Sequence, residues 1–506
     1  MEIEEILNIQ YNTEDIATGI LKLGLLIDYS NDFEKPEYLD VALEIGESLL
    51  QKNISHDQKG IICYFLANLW SSKNKFLNHK LLWNSKELEK TIYYYHLACE
   101  KQVISSLPEN RQCQIYTNFA NILRHIGRFI EAIEYWNEAI RIDPNFSIAI
   151  GNKGNGIINY ADLLYDNGHS RLFKQSAYHL LKQAIEIGKL EGQVRNGFVS
   201  LLNDLESSFP LEILQEKEIE TKFPLGDSES EIRYREWCLN NNLFLNPLND
   251  IGNYSIAAND ILFLPHMQIK FEDGFYYQSL LNGIKQEFIA ARFLVYEGIN
   301  KKVLHFADKD TFLYSLGDHT FYSINIEKIK MGYRSMYSLL DKLSHFLNRY
   351  FHLEVPPNKL SLKRIWYKKN DPKQEVRDVF NELKNWGFRG LFWLSRDLFE
   401  LNDANLPMDP EAYASYKLRN SIEHNFTKIL DPVIEGLSQN HTMHAYDSTN
   451  ITYDQLVKNA IKLSKLVRSA FIYLILGINI EEQKRESECF VSMEMPYYDD
   501  KFKSLF

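Results

Sequence analysis

This sequence predicts an all-α protein in two parts, a solenoid of stacked helical hairpins followed by a helical bundle. Three observations carry that prediction. Apolar residues recur at helical spacing through both halves; small residues, one tryptophan and a terminating proline fall at hairpin-repeat spacing near the middle of the first half; turn-forming residues concentrate between 206 and 260. At 506 residues the chain exceeds a single ordinary core, so two or three packed units are expected. Hydrophobic residues at 45% and aromatic residues at 13% favour folded structure throughout.

The clearest hairpin is YTNFANILRHIGRFIEAIEYWNEAIRIDP. Small Ala120 lets two helices approach, Ala132 and Ala139 pack along the second, Trp136 fills the gap between them, and Pro144 stops it. That pattern fits a tetratricopeptide repeat over residues 113–146. A second copy is read at Gly154, Ala177, Leu181 and Ala184, with extra residues inserted around LLYDNGHSRLF. Thr91, Tyr95 and Ala98 match the same helix of an earlier, more degenerate copy, and YLDVALEIGESLL upstream has helical spacing without a readable repeat. One hairpin cannot bury its own apolar face, so several must stack. Residues 1–205 are therefore expected to form a tetratricopeptide-like α-solenoid, a scaffold or peptide-binding groove with no catalytic residue.

The segments SSFP, KFPLGDSES and NPLNDIGNYS carry turn chemistry, so residues 206–260 are expected to be a linker and loop region. Long helical periods return in GFYYQSLLNGIKQEFIAARFLVYEGI and IEKIKMGYRSMYSLLDKLSHFLNRYF. They continue in RGLFWLSRDLFEL, PEAYASYKLRNSIEHNFTKIL and TYDQLVKNAIKLSKLVRSAFIYLIL. Pro410 suits a first helical turn, with Asp409 before it as the cap. Residues 261–506 are thus expected to form a bundle of four or five helices.

The net charge of -12 gives no general attraction to phosphate, so any nucleic-acid contact must come from a local basic surface. Five scattered cysteines with no CxxC pair suit reduced thiols better than a disulfide or zinc framework. MEIEEILNIQ lacks the features of a secretion signal, and AFIYLILGI at 470–478 is about half the length of a bilayer span. A cytoplasmic protein without membrane contact is expected. No phosphate-binding G-x-x-x-x-G-K-[ST] loop, dinucleotide fingerprint or nucleophile elbow is present, so no cofactor is read. His441 and His444 in HTMH have metal-compatible spacing but no acidic or cysteine partners nearby, and no metal site is read there.

YKLRNSIEH, residues 416–424, carries the candidate chemistry. On a helix, Leu418, Ile422, Phe426 and Ile429 would form one apolar stripe, with Arg419, Glu423, Asn420 and His424 going round from it. Asn420 and His424, four apart, are neighbours, and Arg419 lies along the near edge. Two readings follow: a base or acid, an amide and a guanidinium sharing a groove, or a solvated face with an Arg419–Glu423 ion pair.

Arg, a polar residue and then His within a helical bundle resembles the HEPN superfamily, whose members include metal-independent ribonucleases of toxin and antiviral defence systems. WCLNNNLFLNPLNDI, GIKQEFIAARFLVYE and RNSIEH resemble in particular a bacterial branch that joins tetratricopeptide-like helices to a C-terminal HEPN domain. The resemblance covers roughly residues 230–480. It implies Arg419, Asn420 and His424 as the working residues and a homodimer in which two such helices face each other.

The chemistry fits independently. RNA is cut without metal when its 2′-hydroxyl loses a proton and attacks the adjacent phosphate, leaving a 2′,3′-cyclic phosphate and a 5′-hydroxyl. Histidine suits the proton transfer, worth about 10²–10⁴-fold. Arg419 suits the charged phosphorane, while Asn420 can hold the imidazole or a phosphate oxygen. Glu423 would orient Arg419. One histidine does not readily serve as base and acid together, which implies a second copy. The densest basic run, KLSLKRIWYKK, offers Lys359, Lys363, Arg364, Lys368 and Lys369 to phosphates and Trp366 and Tyr367 to bases. An ordinary solvated loop is the other reading of that run. Lys328, Lys330 and Arg334 form a second, weaker basic candidate, and Lys285 and Glu287 read as surface charges on a long helix.

Two functions follow from this reading. The first is a cytoplasmic endoribonuclease cutting transfer or messenger RNA, with repeats that respond to a protein or phage-derived trigger. The second is a non-catalytic repeat adaptor whose HEPN bundle binds RNA or protein.

Overall fold

The computed structural model describes residues 3–9, 15–77, 83–216, 223–270, 273–301, 303–314, 320–399, 408–430, 448–485, 496, 498 and 500–504. Among the described residues there are nineteen α-helices and two short strands, as the sequence predicts for an all-α chain.

The first half is built of helical hairpins. Short α1 (Ile3–Leu7) precedes the pair α2 (Ile16–Asp32) and α3 (Glu37–Leu50), and α4 (His56–Phe76) pairs with α5 (Lys86–Ala98). Short α6 (Lys101–Ile104) leads into the pair α7 (Glu109–His125) and α8 (Phe129–Ile142) and the pair α9 (Ser147–Ala161) and α10 (Asn167–Glu186). Helices α11 (Gly192–Ser208) and α12 (Leu211–Gln215) close the array. Starts are set locally: Ser55 and Gln58 form a capping box on α4, and Asp15, Ser85 and Asp166 cap α2, α5 and α10. The repeat positions do what their spacing predicts. Ala120, Ala132, Trp136 and Ala139 are fully buried, and a side chain at Gly156 would meet the Trp136 ring, so the tryptophan of one hairpin packs on the bare backbone of the next. Residues inserted around LLYDNGHSRLF make the turn and the start of a long α10.

The segment expected as a linker is tightly packed. After α13 (Glu229–Asn240), residues 243–250 are buried. Two buried arginines hold them. Arg292 donates to Leu243 O at 2.8 Å and pairs through both terminal nitrogens with Asp260, while Arg468 donates to the carbonyls of Phe244 and Asn246 and pairs with Asp250 at 2.6 Å. Asp250 also accepts from Tyr160 of α9 at 2.9 Å, so this loop ties the repeats to the second half. Turn-rich composition marks irregular backbone; it does not say whether buried donors will satisfy that backbone.

The second half is a bundle of α14 (Tyr276–Asn300), α15 (Ile324–Tyr350), short α16 (Asp378–Asn381), α17 (Trp386–Phe399), α18 (Pro410–His424) and α19 (Tyr453–Glu482). Helix α19 is its centre. By length and composition α19 could cross a membrane, but 89% of its most apolar window is buried inside the fold, the position of a core helix. Strand β1 (Phe426–Leu430) pairs in parallel with β2 (Ser448–Thr452), and Thr320 bridges to Leu430. The apolar stripe expected to run to Ile429 is therefore cut at His424. The buried face of α18 is Ala412, Ser415, Leu418 and Ser421, with Ile422 half-buried.

The repeats dock on the bundle through close backbone contact. Gly127 has φ +90°, and a Cβ there would lie 2.3 Å from Trp386 O; one at Gly390 would lie 2.3 Å from Gly127 O. Trp83 of the repeats packs with tilted rings among Trp366, Phe380 and Phe392 and donates to Leu383 O at 3.1 Å. Cys63, Cys99, Cys113 and Cys238 form no disulfide, and Cys489 lies outside the described residues. Burial pushes the Cys63 thiol up to about 12 and the Cys238 thiol up to about 11, which makes both unreactive.

Candidate active site

The helix that carries RNSIEH is fixed at its start. The Asp409 carboxylate accepts from Ala412 N at 3.0 Å, the N-cap expected from the Asp-Pro pair. It is also a junction between the halves. His96 of α5 lies 3.9 Å from Asp409 and from Asp397 of α17, Lys462 of α19 lies 3.5 Å from Asp409, and Arg128 from the α7–α8 turn pairs with Asp397. Burial alone would push the Asp409 carboxyl up, but His96, Lys462, the Ala412 N–H and Arg128 together hold it well below the usual carboxylate range. Asp409 and Pro410 were legible as a helix start; nothing local marked Asp409 as an inter-unit contact.

Ten residues on, about 15 Å along the axis, the candidate residues emerge. Arg419 is half-buried, its guanidinium 5.5 Å above the Tyr337 ring of α15. Its Nη1 donates to Asn420 Oδ1 at 3.0 Å and its Nε lies 2.8 Å from Glu423. Asn420 thus serves Arg419 in this structure, and Glu423 is its ion-pair partner. His424, the last residue of α18, is exposed. Just beyond it, the Ser421 and Thr427 hydroxyls meet at 2.8 Å and pin the helix end to β1.

Magnitudes decide how open this site is. The Arg419–Glu423 pair is partly solvated and has the less favourable order along the helix, so it contributes no more than about 0.3–0.5 kcal/mol. A phosphate can displace Glu423 at little cost. Tyr333 OH donates to Ser415 O at 2.7 Å and, with Tyr337, forms the wall behind the helix. Burial raises the carboxyl of nearby Asp341, against the Leu362 N–H and the Arg419 charge that favour its ionised form. Tyr337 and Asp341 were not singled out by sequence; they stand one turn apart on α15, but nothing near them marks which helix that face meets.

The basic run departs from expectation. Trp366 and Tyr367 are buried, Trp366 within 5.0 Å of Phe380 and 5.8 Å of Phe392, so neither presents a face to a base. Lys368 is held by Glu375 and Asp378 at 3.2 and 2.9 Å. Lys363, Arg364 and Lys369 reach solvent. The aromatic residues here are core, and their basic neighbours flank the α16 turn. Of the weaker set, Lys328 pairs with Glu297 and Lys330 with Glu327, while Arg334 is exposed. Lys285 donates to Leu262 O at 2.9 Å, and Glu287 accepts from Ser335 and Lys342.

His96, Asp397 and Asp409 place ligand-type atoms within 4.8 Å of one another. Arg128 and Lys462 already balance the two carboxylates, so the trio is suited to a charge-neutral joint more than to a divalent ion. His441 and His444 lie outside the described residues.

Residues 269–481 match the model of the family described as LA2681-like HEPN. No curated protein and no solved structure matches the chain.

Proposed function

With residues 269–481 an LA2681-like HEPN domain, a domain type that points to RNA, we propose that the protein is a metal-independent endoribonuclease whose site is the C-terminal end of α18. One observation carries this: an exposed imidazole, His424, and a half-exposed guanidinium, Arg419, stand on adjacent turns of one firmly capped helix within that domain.

In this reading the ribose 2′-hydroxyl gives its proton to an imidazole and attacks the neighbouring phosphorus. Arg419 leaves Glu423 for the phosphorane oxygens, held in place by Asn420. The 5′-oxygen departs with a proton from a second imidazole, leaving a 2′,3′-cyclic phosphate and a 5′-hydroxyl. A homodimer supplies that second His424. Transfer or messenger RNA is the substrate, and the repeats, joined to the helix start at Asp409, transmit a protein or phage-derived trigger in a cytoplasmic defence or toxin system. Lys363, Arg364 and Lys369 remain as phosphate contacts.

The test is cleavage of labelled RNA in EDTA by wild type, His424→Ala and Arg419→Ala. His424→Ala is expected to lose about 10²–10⁴-fold in rate and Arg419→Ala a similar factor, both with unchanged melting. Cleavage that survives His424→Ala removes the assignment. The Arg419–Glu423 contact favours one other reading, an adaptor in which this face is only solvated surface. That reading expects no cleavage and a small shift in melting for Arg419→Ala.

A further inference from the structure

Beside the candidate site, three tyrosine rings form a ladder between α18 and α15. Tyr413 and Tyr416 of α18 lie 5.9 Å apart at an interplanar angle of 37°, and Tyr416 lies 6.4 Å from Tyr337 of α15 at 35°. A cation closes each end of the ladder. Lys417 Nζ stands 5.0 Å from the Tyr413 centroid, and the Arg419 guanidinium stands 5.5 Å from that of Tyr337.

Packing of α18 on α15 explains Tyr337, which is buried. It does not explain the α18 end, where Tyr413 and Tyr416 keep part of their surface in water and Lys417 is exposed. Arg419 has Glu423 as its partner; among the described residues no carboxylate pairs with Lys417. Helical geometry puts Tyr413, Tyr416, Asn420 and His424 on one stripe, with Lys417 at its edge. Going back from Arg419 and His424, Tyr416 and Lys417 come about one turn earlier and Tyr413 almost another. Each turn advances about 5.4 Å, on the order of one nucleotide of an extended strand. Rings that accept bases, alternating with a spare cation that accepts phosphate, are what an unpaired strand requires. A duplex keeps its bases stacked on each other and offers none to such rings.

We infer that α18 carries a base-stacking subsite for unpaired RNA: the nucleotide beside the scissile phosphate stacks on Tyr416, the next on Tyr413, and Lys417 holds the phosphate between them. Only the place beside a scissile phosphate rests on the ribonuclease reading; the rings and the cation do not.

The experiment is binding by full-length protein of a short fluorescent 2′-O-methyl adenosine strand, which resists cleavage, and of an abasic strand of equal charge, with melting as the folding control. Wild type is expected to prefer the adenosine strand by about 10²-fold. Tyr413→Leu/Tyr416→Leu keeps apolar volume without rings, and its affinity for the adenosine strand should fall to that for the abasic one. Tyr413→Phe/Tyr416→Phe should retain the preference. Lys417→Ala, at an exposed position that folding does not depend on, should weaken both strands alike and lower the salt slope of binding by about 0.7. A wild type that binds both strands equally, or binds a hairpin duplex as tightly as the adenosine strand, overturns the subsite. So does a folded Leu variant that keeps the preference, or a Lys417→Ala protein with an unchanged salt slope. Ring-dependent preference in a protein that cuts no RNA keeps the subsite and removes the ribonuclease reading; His424-dependent cleavage with equal binding of the two strands does the reverse. A wild type that neither binds nor cuts removes both.

Discussion

Replacing Asp409 perturbs the point where the repeats hold the helix that carries Arg419 and His424. Asp409→Ala removes two things. The N-cap bond to Ala412, 3.0 Å long, contributes about 1 kcal/mol. The buried carboxylate facing His96 at 3.9 Å and Lys462 at 3.5 Å is the larger part, because breaking a buried pair costs about 3–5 kcal/mol. Lys462 keeps some access to water, which places the loss at the lower end, about 3 kcal/mol. Asp409→Asn retains a capping oxygen and loses the charge. Its expected cost is about 3 kcal/mol against about 4 kcal/mol for Asp409→Ala. The pH dependence follows from the depressed carboxyl. Its stabilising contribution is complete above the ordinary value of 3.8 and is lost as pH falls through the lower value of the folded state. The gap in melting between wild type and Asp409→Asn is therefore wide at pH 7 and closes below about pH 4. Calorimetric melting across that range, beside RNA cleavage at pH 7, measures both. Equal melting of wild type and Asp409→Asn at pH 7, or a gap that stays constant into acid, would refute the junction.

Two substitutions test the packing around it. Gly390→Ala should destabilise by about 1–3 kcal/mol, although alanine normally improves a helix, because its Cβ would meet the Gly127 carbonyl. Gly127→Ala should cost a further 1–2 kcal/mol or so for its positive φ, and a Gly390→Ala protein that melts higher than wild type would count against the docked arrangement. Trp366→Ala should cost about 3–5 kcal/mol of stability and change RNA affinity no more than any other core substitution. Selective loss of RNA binding in a stably folded Trp366→Ala protein would restore the stacking reading of that run.

What could be read without coordinates is whatever short-range geometry fixes. The Asp409–Pro410 start and the Arg419–Glu423 pair depend on spacings of one to four residues, which helical turn length imposes wherever the helix forms, and the hairpin at 113–146 depends on small and large residues placed within one short stretch of chain. The family resemblance likewise pointed to RNSIEH as the candidate site. Long-range neighbours decided the rest. KLSLKRIWYKK reads the same whether its rings face water or protein, and only Trp83, Phe380 and Phe392 arriving from elsewhere made Trp366 core. The helical period continues through Phe426 and Ile429, yet the ladder offered by Ser448–Thr452 ends the helix at His424. Turn residues over 206–260 read as a linker and loop region, and only Arg292 and Arg468, arriving from distant helices, supplied donors for the buried carbonyls of Leu243, Phe244 and Asn246. Backbone periodicity is a local property of the chain, whereas burial, charge pairing and the end of a helix depend on which distant groups share the same space.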